Sequence, residues 1–263
     1  MFERHTGYAW CEPKYEVSEY IAEFANTVTN LPLILHPLIM LPQLGPYVRR
    51  VNRRRLVPVF MVSLVGIASC VYHATLSLFA QILDELAILW VVTAVFYTVM
   101  PVMRYCLPKF VQRDVEKYRI LMLLTTAFFS ALAFVHPIAN AFALFGLSAP
   151  MYYLIMQELI AMNDRTAVYT LQMSLVYWGL SIVCWMADRA ACDTLLQLGI
   201  PYMHAIFHVL AGLAVHHASI SLYFIDINSK TPQVDVQIRN VPESKWRLGI
   251  PYLKLVEKHT RMA

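Results

Sequence analysis

Residues 69–85 read SCVYHATLSLFAQILDE, which sets a hydroxyl, an imidazole and two carboxylates inside a run otherwise typical of a helix facing hydrocarbon. Ser69 and His73 lie four residues apart, so on a helix they share one face. Polar and ionisable groups inside a membrane-spanning segment are energetically costly and usually mark a functional site. The stretch therefore predicts membrane-embedded helices that carry a site between them.

A second polar motif, PYMHAIFH at residues 201–208, supplies two histidines at i and i+4. His73, His204 and His208, with a carboxylate nearby, are the parts of a catalytic zinc site that keeps one coordination position open. The alternative is that the histidines are satisfied by hydrogen bonds between helices. We assign Asp84 to proton transfer, and leave Glu85 as either a helix cap or a partner to a ligand.

The composition indicates an all-α, polytopic membrane protein. The chain has 263 residues, of which 59% are hydrophobic and 14% charged, and its mean hydropathy is +0.53. Soluble domains carry about 25% charged residues. Apolar windows of about 20 residues suit a spanning helix. Seven are predicted, near residues 25–46, 57–77, 82–101, 119–136, 139–161, 168–187 and 204–226.

The 21 lysines and arginines give the orientation of this seven-helix bundle. All of them except Arg4, Lys14 and Arg189 fall on one side of the membrane, which the positive-inside rule assigns to the cytosol. We therefore divide the chain into a lumenal or extracellular segment (1–24), a catalytic bundle (25–226) and a cytosolic tail (227–263). The site residues then share one depth, in the lumenal leaflet. Topology and anionic lipid explain the basic loops, so no nucleic-acid partner is predicted.

The N-terminal segment lies on the same side as the predicted site. Ser18, followed by acidic residues, is typical of a helix start. The segment is therefore interpreted either as an amphipathic helix lying at the interface or as an acidic metal loop that covers the site.

The site pattern resembles the signature of the alkaline ceramidases, which belong to a wider group of seven-helix zinc hydrolases that includes the adiponectin and progestin receptors. The pattern is Ser69-x3-His73-x10-Asp84 with His204-x3-His208. The resemblance extends to residues 10–12, 21–30, 185–192 and 249–251, and so covers nearly the whole chain.

The resemblance implies hydrolysis of the ceramide amide bond to a sphingoid base and a free fatty acid, within the bilayer. It implies that His73, His204 and His208 bind Zn²⁺, that Asp84 is the proton shuttle, and that Ser69 helps to stabilise the oxyanion. The rival hypothesis is a lipid receptor of the same group with structural zinc and little hydrolysis. A channel is disfavoured, because the ionisable residues cluster at one depth.

The resemblance also implies a degenerate calcium loop. Trp10, Glu12 and Glu23 match the loop of calcium-sensitive relatives, but an Asp and an Asn of that loop are replaced by Ala9 and Lys14. Ca²⁺ prefers six to eight oxygen ligands. We therefore expect weak or no calcium binding, with Lys14 forming an ion pair with Glu12 or Glu23 in place of the ion.

A disulfide is predicted between Cys11 and Cys192. Both cysteines are lumenal in the seven-span topology, where the redox environment permits disulfides, whereas the other three lie within spans or on the cytosolic side. The predicted location is the endoplasmic reticulum or Golgi membrane, with the plasma membrane as the alternative.

Overall fold

The computed structural model describes residues 10–48, 53–133, 137–231, 234–242 and 249–257. Ala9 and the basic residues Arg4, Arg49, Arg50, Lys245, Arg247, Lys258 and Arg261 lie outside the described residues. Within the described part, the fold is mostly helical and ends in a β-hairpin. The helices are α1 (Phe24–Val28), α2 (Leu31–Ile34), α3 (His36–Gln43), α4 (Gly45–Val48), α5 (Val57–Thr75), α6 (Leu78–Thr98), α7 (Lys109–Arg113), α8 (Val115–Ala133), α9 (Pro137–Ala161), α10 (Arg165–Ala190), α11 (Cys192–Gln197) and α12 (Met203–Lys230).

Among the described residues, five helical segments are long and apolar enough to cross a membrane. They are Phe24–Gln43, Arg53–Thr75, Leu78–Val102, Arg165–Ala190 and Met203–Lys230. Two further long helices, α8 and α9, coincide with the predicted fourth and fifth apolar windows. The bundle is built by helix pairs, with α5 packed along α6 and α10 packed along α12.

The first apolar segment is a series of short helices where one continuous helix was predicted. Pro32 and Pro37 lie in the first turns of α2 and α3, and Pro42 lies inside α3. Proline fits the first turn of a helix but removes a backbone donor from its interior. The chain from residue 24 to 48 therefore forms four short helices, α1 to α4, instead of one continuous helix.

A glycine on α5 allows the second of these short helices to pack closely. A Cβ atom at Gly66 would lie 2.7 Å from the backbone nitrogen of Ile34, a distance that only a shift of one of the two helices could relieve. The chain before the bundle is thereby held directly against the helix that carries Ser69 and His73.

Helix α6 begins earlier than predicted, directly after a tight corner at the end of α5. Leu76 adopts a left-handed conformation with φ 51°, and Ser77 then caps α6 by accepting the Ala80 N–H at 3.1 Å. The helix starts at residue 78, not 82, so Asp84 and Glu85 lie well inside it. The interpretation of either residue as the helix cap is therefore wrong.

Two buried carboxylates anchor the end of the bundle opposite the predicted site. Asp226 accepts hydrogen bonds from the Tyr47 hydroxyl and from the Arg55 guanidinium, the latter at 2.7 Å. Glu158 accepts the backbone N–H groups of residues 104–106 at 2.6 to 3.0 Å. A buried carboxylate is stable only when such donors surround it, and these donors come from distant parts of the chain.

The predicted cytosolic tail begins as a continuation of α12, and then forms a hairpin that the sequence analysis missed. Strands β1 (Val234–Val241) and β2 (Ile250–Glu257) pair antiparallel, and an alternating apolar face of β1 packs against α12. His216 on α12 contacts the Pro251 carbonyl at 2.8 Å. The alternation of apolar and polar residues along β1 was the sequence pattern that could have predicted this strand.

Residues 10–23 contain no helix, so the helix start predicted at Ser18 is wrong. Ser18 instead pairs with Ile21 in an isolated bridge. The segment docks through its backbone, because the N–H groups of Ala22 and Glu23 donate to the carbonyls of Ala74 and His73 at 3.0 and 3.1 Å. These bonds use carbonyls that the C-terminal end of α5 leaves free.

Candidate metal and catalytic site

The structure brings the three predicted histidines together. His73 lies near the end of α5, and His204 and His208 lie in the first two turns of α12. All three are buried. Their ring centroids are 4.6 to 5.0 Å apart, and one nitrogen of each lies within 4.8 Å of the others. These residues could hold a metal ion.

The spacing of two ring nitrogens supports a shared ligand. Nε2 of His204 and Nε2 of His73 are 3.3 Å apart. Two nitrogens at the usual zinc distance of about 2.0–2.1 Å, in tetrahedral geometry, are separated by about 3.3–3.4 Å. A hydrogen bond between two rings would bring only two nitrogens together. Here one nitrogen from each of the three rings points to the same place, which suits a shared metal ion better.

Neighbouring side chains fix the tautomers of two of the rings. Glu23 Oε2 lies 2.6 Å from His73 Nδ1, and Thr29 Oγ1 lies 3.1 Å from His208 Nδ1. The Thr29 hydroxyl donates its proton to the Ala25 carbonyl at 2.8 Å, so its oxygen accepts from His208 Nδ1–H. The Asn30 amide nitrogen is farther from the same atom, at 3.5 Å, and donates to the Asn26 carbonyl at 2.9 Å. With Nδ1 protonated in both rings, the lone pair of each Nε2 is free for a metal.

Glu23 is the principal site residue whose role the sequence analysis missed, since it was assigned to the calcium loop. Its side chain is fully buried, and the Asn26 amide also donates to Oε2, at 3.1 Å. Burial raises the pKa of Glu23 to about 7, against the lowering effects of the Asn26 amide and the Lys14 charge. A cation held by the histidines would favour the ionised carboxylate.

Ser69 and Asp84 lie beside the histidines, on the two helices of the α5–α6 corner. Ser69 is buried one turn before His73, and its hydroxyl lies near the Asp84 carboxyl. The adjacent Glu85 accepts the Gln81 amide at 3.0 Å.

Trp10 covers the histidines from the N-terminal segment. Its ring stacks on His204 with centroids 3.6 Å apart and planes inclined by 19°, and its Nε1 donates to the Tyr72 hydroxyl at 3.2 Å. The Arg189 guanidinium lies 4.9 Å from the centre of the Trp10 ring. Trp10 therefore acts as an aromatic cover over the His204 imidazole.

The segment that carries Trp10 is fastened at the next residue. The structure contains the predicted disulfide between Cys11 and Cys192. The Cys11 N–H also donates to Asp188 at 3.0 Å. Asp188 lies in the stretch 185–192, which carries part of the family resemblance, and no local sequence pattern predicted a role for it.

The predicted ion pair of Lys14 is wrong. Both carboxylate oxygens of Glu12 accept N–H groups at the start of α1, from Ala25 at 2.5 Å and Asn26 at 2.8 Å, while Glu23 turns inward to His73. Lys14 is exposed, and in the described part of the chain it forms no ion pair with either carboxylate. Burial raises the pKa of Glu12, against the lowering effect of the two N–H donors.

Comparison with known proteins places this site in a family. Residues 3–254 match the sequence model of the Ceramidase family. The chain is 39% identical to an alkaline ceramidase of Caenorhabditis briggsae, over 98% of this chain and 96% of the relative. It is 34% identical to the Drosophila melanogaster alkaline ceramidase, over 94% and 86%, and 29% identical to human alkaline ceramidase 1, over 94% and 92%.

Proposed function

The chain belongs to the ceramidase family, and from this premise we propose that it hydrolyses the amide bond of ceramides to a sphingoid base and a free fatty acid. The observation that carries the proposal is the convergence of three buried imidazoles beside a serine and a carboxylate, at a spacing that suits one metal ion.

We propose Zn²⁺ as the ion. Neutral imidazole nitrogens are preferred zinc ligands, and three protein ligands with an open fourth position are typical of catalytic zinc. His73, His204 and His208 would hold it, with Glu23 and Thr29 orienting two of the rings. When bound, zinc supplies a Lewis acid and lowers the pKa of a coordinated water from about 15.7 to about 7.

Asp84 is proposed to move the proton in this reaction. Amide hydrolysis requires a base that accepts a proton from the attacking water and an acid that delivers one to the departing amine nitrogen. A carboxylate beside the metal-binding nitrogens can do both in turn. Glu85 is committed to Gln81, which makes it the poorer candidate.

Ser69 is proposed to stabilise the developing oxyanion by donating its hydroxyl hydrogen. The hydroxyl has one hydrogen to donate, so it serves either Asp84 or the substrate oxygen. With substrate bound, the hydroxyl would donate to the carbonyl oxygen.

We further propose that α8 and α9 cross the membrane together with the five apolar segments, which makes seven spans with a lumenal N-terminus and a cytosolic tail. The basic residues support this orientation through the positive-inside rule. The site then opens toward the lumenal leaflet of an endoplasmic reticulum or Golgi membrane, and ceramide reaches it from the bilayer.

We propose that calcium is dispensable for this chain. Of the matching loop residues, Glu12 already uses both carboxylate oxygens on backbone N–H groups, and Glu23 uses one oxygen on His73. Of the carboxylate oxygens of these two residues, Glu23 Oε1 is the one without a hydrogen-bond partner in the described part of the chain, and it supplies one of the six to eight ligands that the ion prefers.

The test is metal analysis together with an activity assay on protein purified in detergent. The wild type should contain about one zinc per chain and release fatty acid from ceramide. His208→Ala should lower both, whereas His217→Ala, a buried histidine on the same helix outside the cluster, should retain zinc. Full zinc content in the alanine variants of all three ligands would refute the assignment. Zinc binding without hydrolysis of any ceramide would favour the receptor alternative.

A further inference from the structure

Asp188, near the end of α10, joins two parts of the chain that both contact a proposed zinc ligand. Its side chain is 1% exposed. One carboxylate oxygen accepts the backbone N–H of His204 at 3.1 Å, and the other accepts the backbone N–H of Cys11 at 3.0 Å. Both oxygens are thus used, and both contacts are long-range.

The first contact supplies a cap that α12 lacks locally. The residue at the N-cap position of this helix, Tyr202, makes no side-chain hydrogen bond to the helix. The first N–H groups of any helix have no partner within it, and a carboxylate is the favoured partner at this end because of the helix dipole. Asp188 provides that partner from another helix, and the N–H that it holds belongs to His204 itself.

The second contact acts on the ring of the same ligand. Cys11 follows Trp10, whose indole stacks on the His204 imidazole at 3.6 Å. Among the described residues, His204 Nδ1 is buried without a hydrogen-bond partner, so no side chain orients this ring as Glu23 orients His73. The orientation of His204 therefore depends on its backbone anchor and on packing against the Trp10 indole and the Phe207 ring, whose centroid lies 5.1 Å away. Asp188 holds the backbone anchor and the residue next to Trp10.

We propose that Asp188 is a positioning residue for the metal site, acting on His204 through the start of α12 and through the Trp10 segment. The inference rests on the proposed zinc site. Asp188 would position His204, as Glu23 orients His73 and Thr29 orients His208.

The test compares Asp188→Asn with Asp193→Asn in the full chain purified in detergent. The two substitutions are identical in kind, and Asp193 is an exposed residue of α11 near the same disulfide. Asp188→Asn replaces one acceptor by an amide NH₂ that faces an N–H donor. We expect its zinc affinity, measured by chelator competition, to fall about tenfold or more, the range found when outer partners of ligands are lost. Asp193→Asn should match the wild type.

A spectroscopic measurement separates positioning from a general loss of stability. With Co²⁺ in place of zinc, the visible absorption spectrum reports the ligand geometry, and Asp188→Asn should change it while the Cys11–Cys192 disulfide still forms. If Asp188→Asn protein does not accumulate, Asp188→Glu, which keeps both oxygens on a longer side chain, should fold and show the altered spectrum. A wild-type spectrum and wild-type zinc affinity in the variant that folds would overturn the inference.

Removing the disulfide tests whether the effect of Asp188 requires the covalent link between the Trp10 segment and α11. In a Cys11→Ser/Cys192→Ser background, Asp188→Asn should still weaken zinc binding, because its bond to the His204 N–H does not depend on the disulfide. The absence of any additional effect would overturn the direct action on His204. A wild-type protein that binds no zinc would instead refute the proposed function, which keeps the two failures distinct.

Discussion

Replacing Glu23 by Gln tests the most unexpected contact of the site. Glu23 is fully buried and lies 2.6 Å from the Nδ1 atom of His73. The substitution keeps the size of the side chain and one carbonyl oxygen, but removes the negative charge. We expect a lower affinity for zinc, because His73 loses the charge-assisted hydrogen bond that fixes its tautomer and increases its basicity as a ligand.

The magnitude follows from the strength of that one bond. A hydrogen bond to a charged group contributes about 1.5–3 kcal/mol, and loss of an outer partner of a ligand typically costs about 10–100-fold in metal affinity. That range corresponds to about 1.4–2.8 kcal/mol. Glu23→Gln, whose amide oxygen still accepts a hydrogen bond, should fall near the lower end, and Glu23→Ala, which accepts none, near the upper end.

The assay is zinc affinity by chelator competition, with Glu12→Gln as the matched control. Glu12 is a buried carboxylate of the same segment, but it caps α1 and contacts no histidine. Its replacement should lower the free energy of unfolding by about 1 kcal/mol, as for the loss of a helix cap, and leave zinc affinity near that of the wild type. The comparison thus separates loss of the contact with His73 from a general loosening of residues 10–23.

Two results would contradict the reasoning. One is a zinc affinity of Glu23→Gln equal to that of the wild type. The other is a deficit that appears only when calcium is present and vanishes in a calcium-selective chelator, which would make Glu23 a calcium ligand instead.

Three further outcomes are expected. Asp84→Asn should abolish turnover with zinc still bound, whereas Glu85→Gln should keep substantial activity; activity assays with metal analysis check this pair, and the reverse pattern would identify Glu85 as the proton carrier. Gly66→Ala should lower the free energy of unfolding by about 1–3 kcal/mol, because its methyl group meets the Ile34 backbone. Gly179→Ala, where the added methyl meets nothing within 4 Å, should be neutral or stabilising. Equal melting temperatures of the two variants would contradict the close packing of α2 on α5. Wild-type activity should survive a calcium-selective chelator and disappear in a zinc chelator, and a large loss in the first would restore the calcium site.

The sequence alone was enough to predict most of the long helices and the histidine cluster, because both are encoded in local patterns. Apolar windows of membrane-spanning length identify helices wherever they pack. The i, i+4 spacing of His204 and His208 places both on one helix face. Ser69, His73 and Asp84 flank a single corner, so few arrangements of α5 and α6 could separate them. The Cys11–Cys192 pair followed from the predicted side of the membrane.

Tertiary structure alone decided which groups hold the ligands in place. Glu23 and His73 are 50 residues apart in the chain, and Cys11 and Asp188 are 177 apart. A carboxylate on an irregular segment can pair with a lysine, a metal ion, a helix end or an imidazole, and no local periodicity distinguishes among them. The choice depends on how residues 10–23 dock on the end of α5. That docking turned Glu12 and Glu23 inward, and left Lys14 in solvent.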